Sequence, residues 1–157
     1  RGMCYVPQRE NIFPTLTVRE NLEMGAYIDD PSPEDFQAVW DRFPFLEERE
    51  NTKASDMSGG QQQMLALSSA LMIDPDLLLV DEPSAGLAPD LVDNMFDRLV
   101  AIRDETDTAI LMVEQNARKA LSVSDRGYVL DMGENRFEGT GDELLESDDV
   151  AELYLGG

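Results

Sequence analysis

Residues 76–83 read DLLLVDEP, a continuous apolar run that is bounded by Pro75 and Pro83. Such a run is typical of a strand that is buried on both faces of a sheet. A second run of this kind, TAILMVEQ at 108–115, follows a helix that the pattern predicts from about Pro89 to Glu105. Strand, helix and strand in this order predict a parallel sheet covered by helices, and therefore an α/β fold.

Before these strands the sequence predicts one further strand and a helix-rich segment. Residues 3–8, MCYVPQ, have the aromatic and β-branched residues of a strand. A helix is predicted to start near Thr17, which has Glu20 three positions on as a capping box, and another after Ser32. We divide the chain accordingly into a strand and loop at 1–16, a helical segment at 17–72, and the C-terminal part of an α/β core at 73–157.

The last forty residues predict small elements. A short helix is expected at 117–123, followed by two short strands around a Gly133-Glu134-Asn135 turn in RGYVLDMGENRFEG, residues 126–139. Two short helices, GDELLES and SDDVAELYLGG, are expected to follow from residue 141.

The charge balance excludes several classes of protein. The chain has 33 acidic residues against 12 basic ones, a net charge of −21, and no histidine. Phosphate backbones require clustered Lys and Arg, so free nucleic acid is not an expected partner. The absence of histidine removes the commonest general base and metal ligand. Cys4 alone excludes an intrachain disulfide framework and suits a reducing cytoplasm, and the sequence shows neither a transmembrane run nor a signal-peptide pattern.

The residues SDMSGGQQQMLALSSAL, 55–71, place a serine and two glycines at the start of an apolar-periodic helix. Glycines there leave the backbone open to close approach, and the N–H groups of a helix N-terminus favour an anion. The alternative is that Ser58 is an ordinary N-cap and that the glycines form the preceding turn.

The second candidate site is the pair Asp81 and Glu82 at the end of the 76–83 strand. The carboxyl edge of an open α/β sheet is where such folds bind ligands. An aspartate there suits Mg²⁺, and the next carboxylate can accept a proton from an attacking water. A solvated strand end with acidic residues is the alternative.

Taken together and in this order, YVPQ, SGGQQQ, LLLVDEP, SAGLAPD and ILMVEQN resemble the ATP-binding subunit of ABC transporters over essentially the whole chain. The wording of residues 113–133 and the final YLGG is most similar to the branched-chain amino acid transport type. The resemblance implies a P-loop NTPase-like parallel sheet covered by helices, present in part, with an inserted α-helical subdomain. It also implies ATP and Mg²⁺ as cofactors and ATP hydrolysis as the activity of the intact protein.

The resemblance assigns roles to individual residues. Gln8 matches the residue that contacts Mg²⁺ and the attacking water, Asp81 the Mg²⁺ carboxylate, and Glu82 the catalytic base. Gln115 stands at the position of a switch histidine, where a glutamine can hydrogen-bond a γ-phosphate but cannot take up a proton. The residues that would contact ATP held by a second ATP-binding subunit are Ser58, Gly59, Gly60 and Gln61.

Besides Gln115 in place of a histidine, two departures from the family pattern matter. No G-x-x-x-x-G-K-[ST] occurs in the 157 residues, although that loop supplies the main phosphate cradle. We therefore expect a C-terminal fragment that is nearly or completely inactive by itself. Ala88 stands where the family commonly has aspartate in the loop that crosses to the partner.

The resemblance also implies partners and a location. NIFPTLTVRENL, residues 11–22, would touch transmembrane permease subunits through exposed apolar side chains, unless Phe13 instead packs as a hydrophobic staple on the following helix. The expected location is cytoplasmic, peripheral on the inner face of the cell membrane. Two other functions stay open: a non-transport ATPase of this family that acts on nucleic acid or the ribosome, and a truncated regulatory or interaction module without catalysis.

The acidic residues are spread over the chain, and only Lys53 and Lys119 are lysines, a composition similar to that of proteins from salt-loving organisms. An acidic surface for a basic partner is the alternative. We predict that the melting temperature rises as NaCl or KCl increases from tenths molar toward molar, because screening lengths shrink to about 3 Å and relieve self-repulsion. A melting temperature that stays flat over this range would mean that the acids are compensated locally.

Overall fold

Three parallel strands form the main sheet in the order β1, β2, β3, so that β2 is hydrogen-bonded on both sides. The computed structural model describes residues 2–27 and 30–152. Leu79 of β2 pairs with Tyr5 of β1 and with Leu111 of β3. The predicted parallel α/β arrangement is therefore confirmed. The strands are β1 at Met3–Val6, β2 at Leu77–Asp81 and β3 at Ala109–Val113.

The prediction that β2 and β3 are buried on both faces is wrong for the described chain. Leu78 and Val80 are buried on one face of the sheet, whereas Leu111 and Val113 of β3 are each 57% exposed on the other. Helices cover only the first face in the described residues, and a strand with one open face alternates between buried and accessible side chains. Both the covered and the open face of these strands carry apolar side chains, so the apolar runs in the sequence are uninterrupted. The open face consequently carries exposed apolar residues.

In the described residues between β1 and β2 there are four α-helices and one 3-10 turn. The predicted helix starts are confirmed: Thr17 and Glu20 form a capping box, and Ser32 forms another with Asp35. The hydrogen bond from the Thr17 backbone lowers the pKa of the Glu20 carboxyl, so the capping box is strongest when Glu20 is ionised. The elements are α1 at Val18–Gly25, α2 at Pro33–Arg42, α3 at Pro44–Glu47, the 3-10 turn at Ala54–Asp56 and α4 at Gly59–Leu71.

Helix α5, Pro89–Glu105, has the predicted bounds and joins β2 to β3. Its buried side chains, Phe96, Leu99 and Ile102 among them, lie at helical spacing. Burying a side chain of this size stabilises a fold by roughly 1.5–3 kcal/mol relative to leaving it in water. This apolar stripe therefore holds α5 against the core.

Residues Glu114–Gly157 form a second compact unit, separate from Arg1–Val113. The predicted hairpin is present, but its tight turn is Met132-Gly133, not Gly133-Glu134-Asn135, since both residues have positive φ, 48° and 84°. The final stretch of the predicted last helix, 153–157, lies outside the described residues. The elements are α6 at Ala117–Ser122, β4 at Gly127–Asp131, β5 at Glu134–Gly139, α7 at Gly141–Glu146 and α8 at Asp148–Val150.

Four buried side chains form the core of the second unit. They are joined by the partly buried Phe137 and Leu145, so hairpin and helices share one small apolar cluster. The core members are Leu121, Val129, Leu144 and Val150. Among the described residues of both units, none belongs to a helix that is long and apolar enough to cross a bilayer.

Helices α1 and α4 pack closely against each other at Gly25. A β-carbon added there would lie 2.1 Å from the backbone oxygen of Ser69, and a backbone atom cannot move aside as a flexible side chain can. We predict that Gly25→Ala lowers the free energy of unfolding by about 3 kcal/mol. Urea denaturation measures this, with Gly2→Ala as the control because a β-carbon at Gly2 meets no atom within 4 Å. Equal losses in the two variants would contradict the close packing of α1 on α4.

Candidate active site

The carboxyl ends of β1 and β2 bring together three of the residues singled out from the sequence. Gln8 lies two residues beyond the end of β1, and its Nε2 donates a hydrogen bond to Glu82 Oε2 at 2.5 Å. Asp81 is the last residue of β2, and its Oδ2 accepts a hydrogen bond from the Tyr5 hydroxyl at 3.1 Å. Two carboxylates, an amide and a phenol therefore lie at one edge of the sheet, where parallel folds bind their ligands.

Glu82 is held in an uncommon backbone conformation. Its φ is +44°, in the left-handed region that costs a non-glycine residue roughly 1–2 kcal/mol. Its N–H donates to the Val113 carbonyl at the end of β3 (2.8 Å), and its own carbonyl accepts from the Ala85 N–H (3.0 Å). These bonds fix Glu82 between the ends of β1 and β3, and its carboxylate reaches Gln8. Strain of this kind concentrates at functional sites.

The titratable groups of β1 differ in their environments. The hydrogen bond to Asp81 raises the pKa of the Tyr5 hydroxyl, so Tyr5 stays a neutral donor at physiological pH. Burial raises the pKa of the Cys4 thiol, which is half-buried. Since the thiolate is the reactive form, Cys4 is not set up as a nucleophile.

The second group of predicted residues lies at the N-terminus of α4. Ser58 is the N-cap: its Oγ accepts from the Gln61 N–H at 3.4 Å, and its own N–H donates to Gln61 Oε1 at 3.1 Å. Ser58 is therefore an N-cap, as the alternative held, but Gly59 and Gly60 lie in the first turn of α4 and not in the turn before it. A hydroxyl that accepts one hydrogen bond still has its own proton to donate, so the capping role leaves Ser58 able to bind an anion.

The two glycines of α4 have different surroundings. A β-carbon at Gly59 would meet no atom within 4 Å, whereas one at Gly60 would lie 2.8 Å from Leu91 Cδ1 of α5. Gly60 is buried, and its small size allows α4 to pack against α5. Only Gly59 thus keeps the openness that both glycines suggested from the sequence.

Gln115 and Ala88 occupy chain positions next to helix starts. Gln115 lies in the second unit, and its carbonyl accepts a hydrogen bond from the Ala117 N–H at 2.8 Å. The next residue, Asn116, is the N-cap of α6. Ala88 is the N-cap of α5 and has no side-chain capping bond, because a methyl group cannot accept one.

Sequence reasoning missed three residues that form side-chain hydrogen bonds in β1, the loop after it and α1. Tyr5 lies on the open face of the sheet, and the sequence indicated only that it belongs to a strand. Its pairing partner Leu79 is two residues from Asp81, so its side chain can reach the Asp81 carboxylate. Asn11 Nδ2 donates to the Pro7 carbonyl at 3.2 Å and to Gln63 Oε1 of α4 at 2.8 Å. Asn21 is 3% exposed in α1. The one signal for Asn21 was its low helix propensity one turn inside a capped helix.

A divalent cation fits the donor chemistry at the strand ends. Among the described residues no cluster of three or more Cys, Asp or Glu side chains could hold a metal ion alone. Mg²⁺ does not require one, since it commonly takes one or two carboxylates and completes its shell with water and substrate phosphates. Asp81 and the amide oxygen of Gln8 are ligands of this kind.

Comparison with known proteins identifies relatives over nearly the whole chain. The ABC transporter family profile matches residues 1–85. The probable branched-chain amino acid transport ATP-binding protein LivF of Archaeoglobus fulgidus is 42% identical over 99% of this chain and 66% of its own length. The high-affinity branched-chain amino acid transport ATP-binding protein BraG of Pseudomonas aeruginosa is 44% identical over all of this chain and 68% of its own.

Solved structures give the same picture. An ATP-binding cassette of an ABC transporter in its ADP conformation superposes with a TM-score of 0.79 at 27% identity, over 99% of this chain and 69% of the other. The chain therefore spans about two thirds of the length of the relatives it matches.

The positive φ of Glu82 yields a stability prediction. Glu82→Ala and Glu82→Gly both remove the hydrogen bond from Gln8, but only glycine adopts the left-handed conformation without strain. We expect Glu82→Gly to be more stable than Glu82→Ala by about 1 kcal/mol, although glycine ordinarily costs stability. Denaturant unfolding of the two variants measures the difference. A less stable glycine variant would show that the backbone at Glu82 is not strained.

Proposed function

The chain belongs to the ABC transporter family, and from that premise we propose that its full-length protein is the ATP-hydrolysing subunit of an importer of branched-chain amino acids. The family binds ATP, as the names of its members state. The two relatives at 42% and 44% identity are named for branched-chain amino acid transport. This supports the substrate class, although the solute is selected by other subunits of such a transporter.

The observation that carries the proposal is the Gln8–Glu82 hydrogen bond at the strand ends. It places a carboxylate and an amide within one hydrogen bond of each other, at the edge where an α/β sheet receives a nucleotide. A carboxylate that takes a proton from water and an amide that orients the same water are the parts that phosphoryl transfer to water needs.

In the proposed reaction, a water oxygen attacks the γ-phosphorus of ATP and the bond from that phosphorus to the β–γ bridging oxygen breaks. Glu82 accepts the proton of the attacking water, and ADP and phosphate are the products. Gln8 Nε2 donates to Glu82 Oε2, and since an ionised carboxylate has lone pairs on both oxygens, water can hydrogen-bond to Glu82 while Gln8 stays in place.

Asp81 and Gln8 would hold Mg²⁺, which when bound neutralises charge on the transferred phosphoryl group. The Tyr5 hydroxyl, 3.1 Å from Asp81 Oδ2, orients the carboxylate by donating to one of its oxygens. The other oxygen of the carboxylate would then be the one that takes a ligand.

The residues at the N-terminus of α4 would serve a second nucleotide. Ser58, the open backbone at Gly59, and the neighbouring Gly60 and Gln61 form an anion-binding helix N-terminus that faces ATP held by a second ATP-binding subunit. Gln115 would hydrogen-bond a γ-phosphate as a neutral donor, and for that reason its contribution would not depend on pH near neutrality.

The proposal concerns the full-length protein because the glycine-lysine phosphate loop is not among these 157 residues. We assign residues 1–16 to the strand and loop that carry Gln8. Residues 17–72 form the helical subdomain, and residues 73–157 form the C-terminal part of the α/β core. The protein would act at the cytoplasmic face of the membrane with permease subunits, which the half-exposed Phe13 would contact. A net charge of −21 suits a salt-rich cytoplasm.

Two other functions compete with this one. A non-transport ATPase of the family that acts on nucleic acid or ribosomes is disfavoured by the acidic charge, which repels phosphate backbones. A regulatory module without catalysis is disfavoured by the hydrogen bond between Gln8 and Glu82, which brings an amide and a carboxylate together at the strand ends. Permease genes adjacent to the reading frame would support transport over both.

We predict that Glu82→Gln in the full-length protein lowers MgATP turnover by at least about 100-fold, because an amide cannot accept the proton, while ATP binding is retained. Steady-state hydrolysis at saturating ATP and a nucleotide-binding titration measure the two effects. Glu134→Gln, on the exposed hairpin strand β5, is the matched control and should be fully active. Unchanged turnover in Glu82→Gln would exclude Glu82 as the base.

A further inference from the structure

Asn21 is the most thoroughly bonded buried polar side chain of the first unit. Its Oδ1 accepts from the Phe13 N–H at 2.7 Å, and its Nδ2 donates to the Phe13 carbonyl at 3.1 Å. Nδ2 also lies 2.8 Å from the Thr17 carbonyl and 3.4 Å from that of Leu16. The Asn21 side chain thus both accepts from and donates to the backbone of Phe13, and it thereby holds the loop before α1 against that helix.

The loop that Asn21 closes begins at the candidate catalytic pair. At its start Gln8 donates to Glu82, and three residues later Asn11 ties the Pro7 carbonyl to Gln63 of α4. At its far end Asn21 holds Phe13, whose side chain is 50% exposed. Residues 7–17 therefore form a loop, which we call the arm. It carries the Gln8–Glu82 pair near its start and the exposed ring of Phe13 further along the chain.

The same arm is bonded to the segment that leads into α4. The Ala54 and Ser55 N–H groups donate to the Leu16 and Pro14 carbonyls, each at 2.9 Å. Gln62 Nε2 of α4 donates to the Ala54 carbonyl at 2.9 Å. A displacement at Phe13 is consequently shared with the residues that precede Ser58.

We propose that Asn21 is a positioning residue, whose amide makes residues 7–17 rigid and so sets the place of Gln8 against Glu82. The inference rests on the proposed function, because it assigns Asn21 an effect on hydrolysis through Gln8. Asn21 touches no reacting atom itself. Misplacing a catalytic group by about 1 Å can lower a rate by about 100-fold, so a remote clamp can control turnover without contributing to nucleotide affinity.

The test uses Asn21→Asp in the full-length protein. The substitution keeps the shape of the side chain but replaces the donating NH₂ group by an oxygen that faces the Phe13, Leu16 and Thr17 carbonyls. Asn135→Asp, the same chemical change on the exposed strand β5, is the matched control. Asn21→Leu, similar in size and without polar atoms, separates lost hydrogen bonds from a new charge.

Three measurements are made on each variant. Hydrogen exchange of the peptide containing residues 9–17 reports whether the loop has loosened, thermal unfolding reports the folded fraction, and steady-state kinetics give kcat and KM for MgATP. We expect faster exchange at 9–17 and a kcat, corrected for folded fraction, that is lower by about tenfold or more, with KM for MgATP changed less than twofold. The control should match the wild type.

Asn21→Asp also carries a pH signature. Burial among carbonyl oxygens raises the pKa of the introduced carboxyl, and its protonated form can donate to a carbonyl again. Its kcat relative to wild type should therefore recover as the pH is lowered from about 8 to about 6, while Asn21→Leu shows no such recovery.

The outcomes separate this inference from the proposed function. Unchanged exchange at 9–17 would show that Asn21 is no clamp, and faster exchange with unchanged kcat would show that loop position does not reach Gln8. Either result overturns the inference while wild-type hydrolysis supports the proposed function. If the wild type fails to hydrolyse MgATP, the proposed function is lost, and with it the effect on Gln8.

Discussion

The central strand β2 is hydrogen-bonded on both sides, and the site depends on that constraint. Its pairing with β1 and β3 sets the register that brings Gln8 and Val113 beside the residues following Val80. Glu82 is then held by its backbone to β3 and by its carboxylate to Gln8. The left-handed conformation of Glu82 persists because these neighbours over-determine it.

The helical segment between β1 and β2 adds the second group of functional residues. Helices α1, α2 and α4 begin at capping boxes, and α1 and α4 pack so closely at Gly25 that no side chain fits there. Close packing and the bonds of Asn11 and Asn21 tie the start of α4 to the loop behind Gln8. The two groups therefore lie on connected elements, although they would serve different nucleotides.

Charge and packing act on different scales in this protein. The net charge of −21 is distributed over the surface and responds to salt, whereas the Gln8, Asn11 and Asn21 contacts are short and partly or fully shielded from solvent. Salt should therefore change overall stability more than it changes the geometry of the strand ends. This separation allows stability and turnover to be measured as independent properties.

The sequence by itself determined the parallel α/β order, the helix starts at Thr17, Ser32 and Ser58, and the adjacency of Asp81 and Glu82, because periodicity and capping are local. It could not predict that β3 is exposed on one face, since an apolar run has the same sequence pattern whether or not a helix covers that face. Only the tertiary structure decided the Gln8–Glu82 hydrogen bond, because the two residues are far apart in the chain. The burial of Asn21 was also decided there, because its neighbours in the sequence are mostly polar. Those contacts depend on how side chains from different elements pack together, and no local pattern in the order of residues specifies that packing.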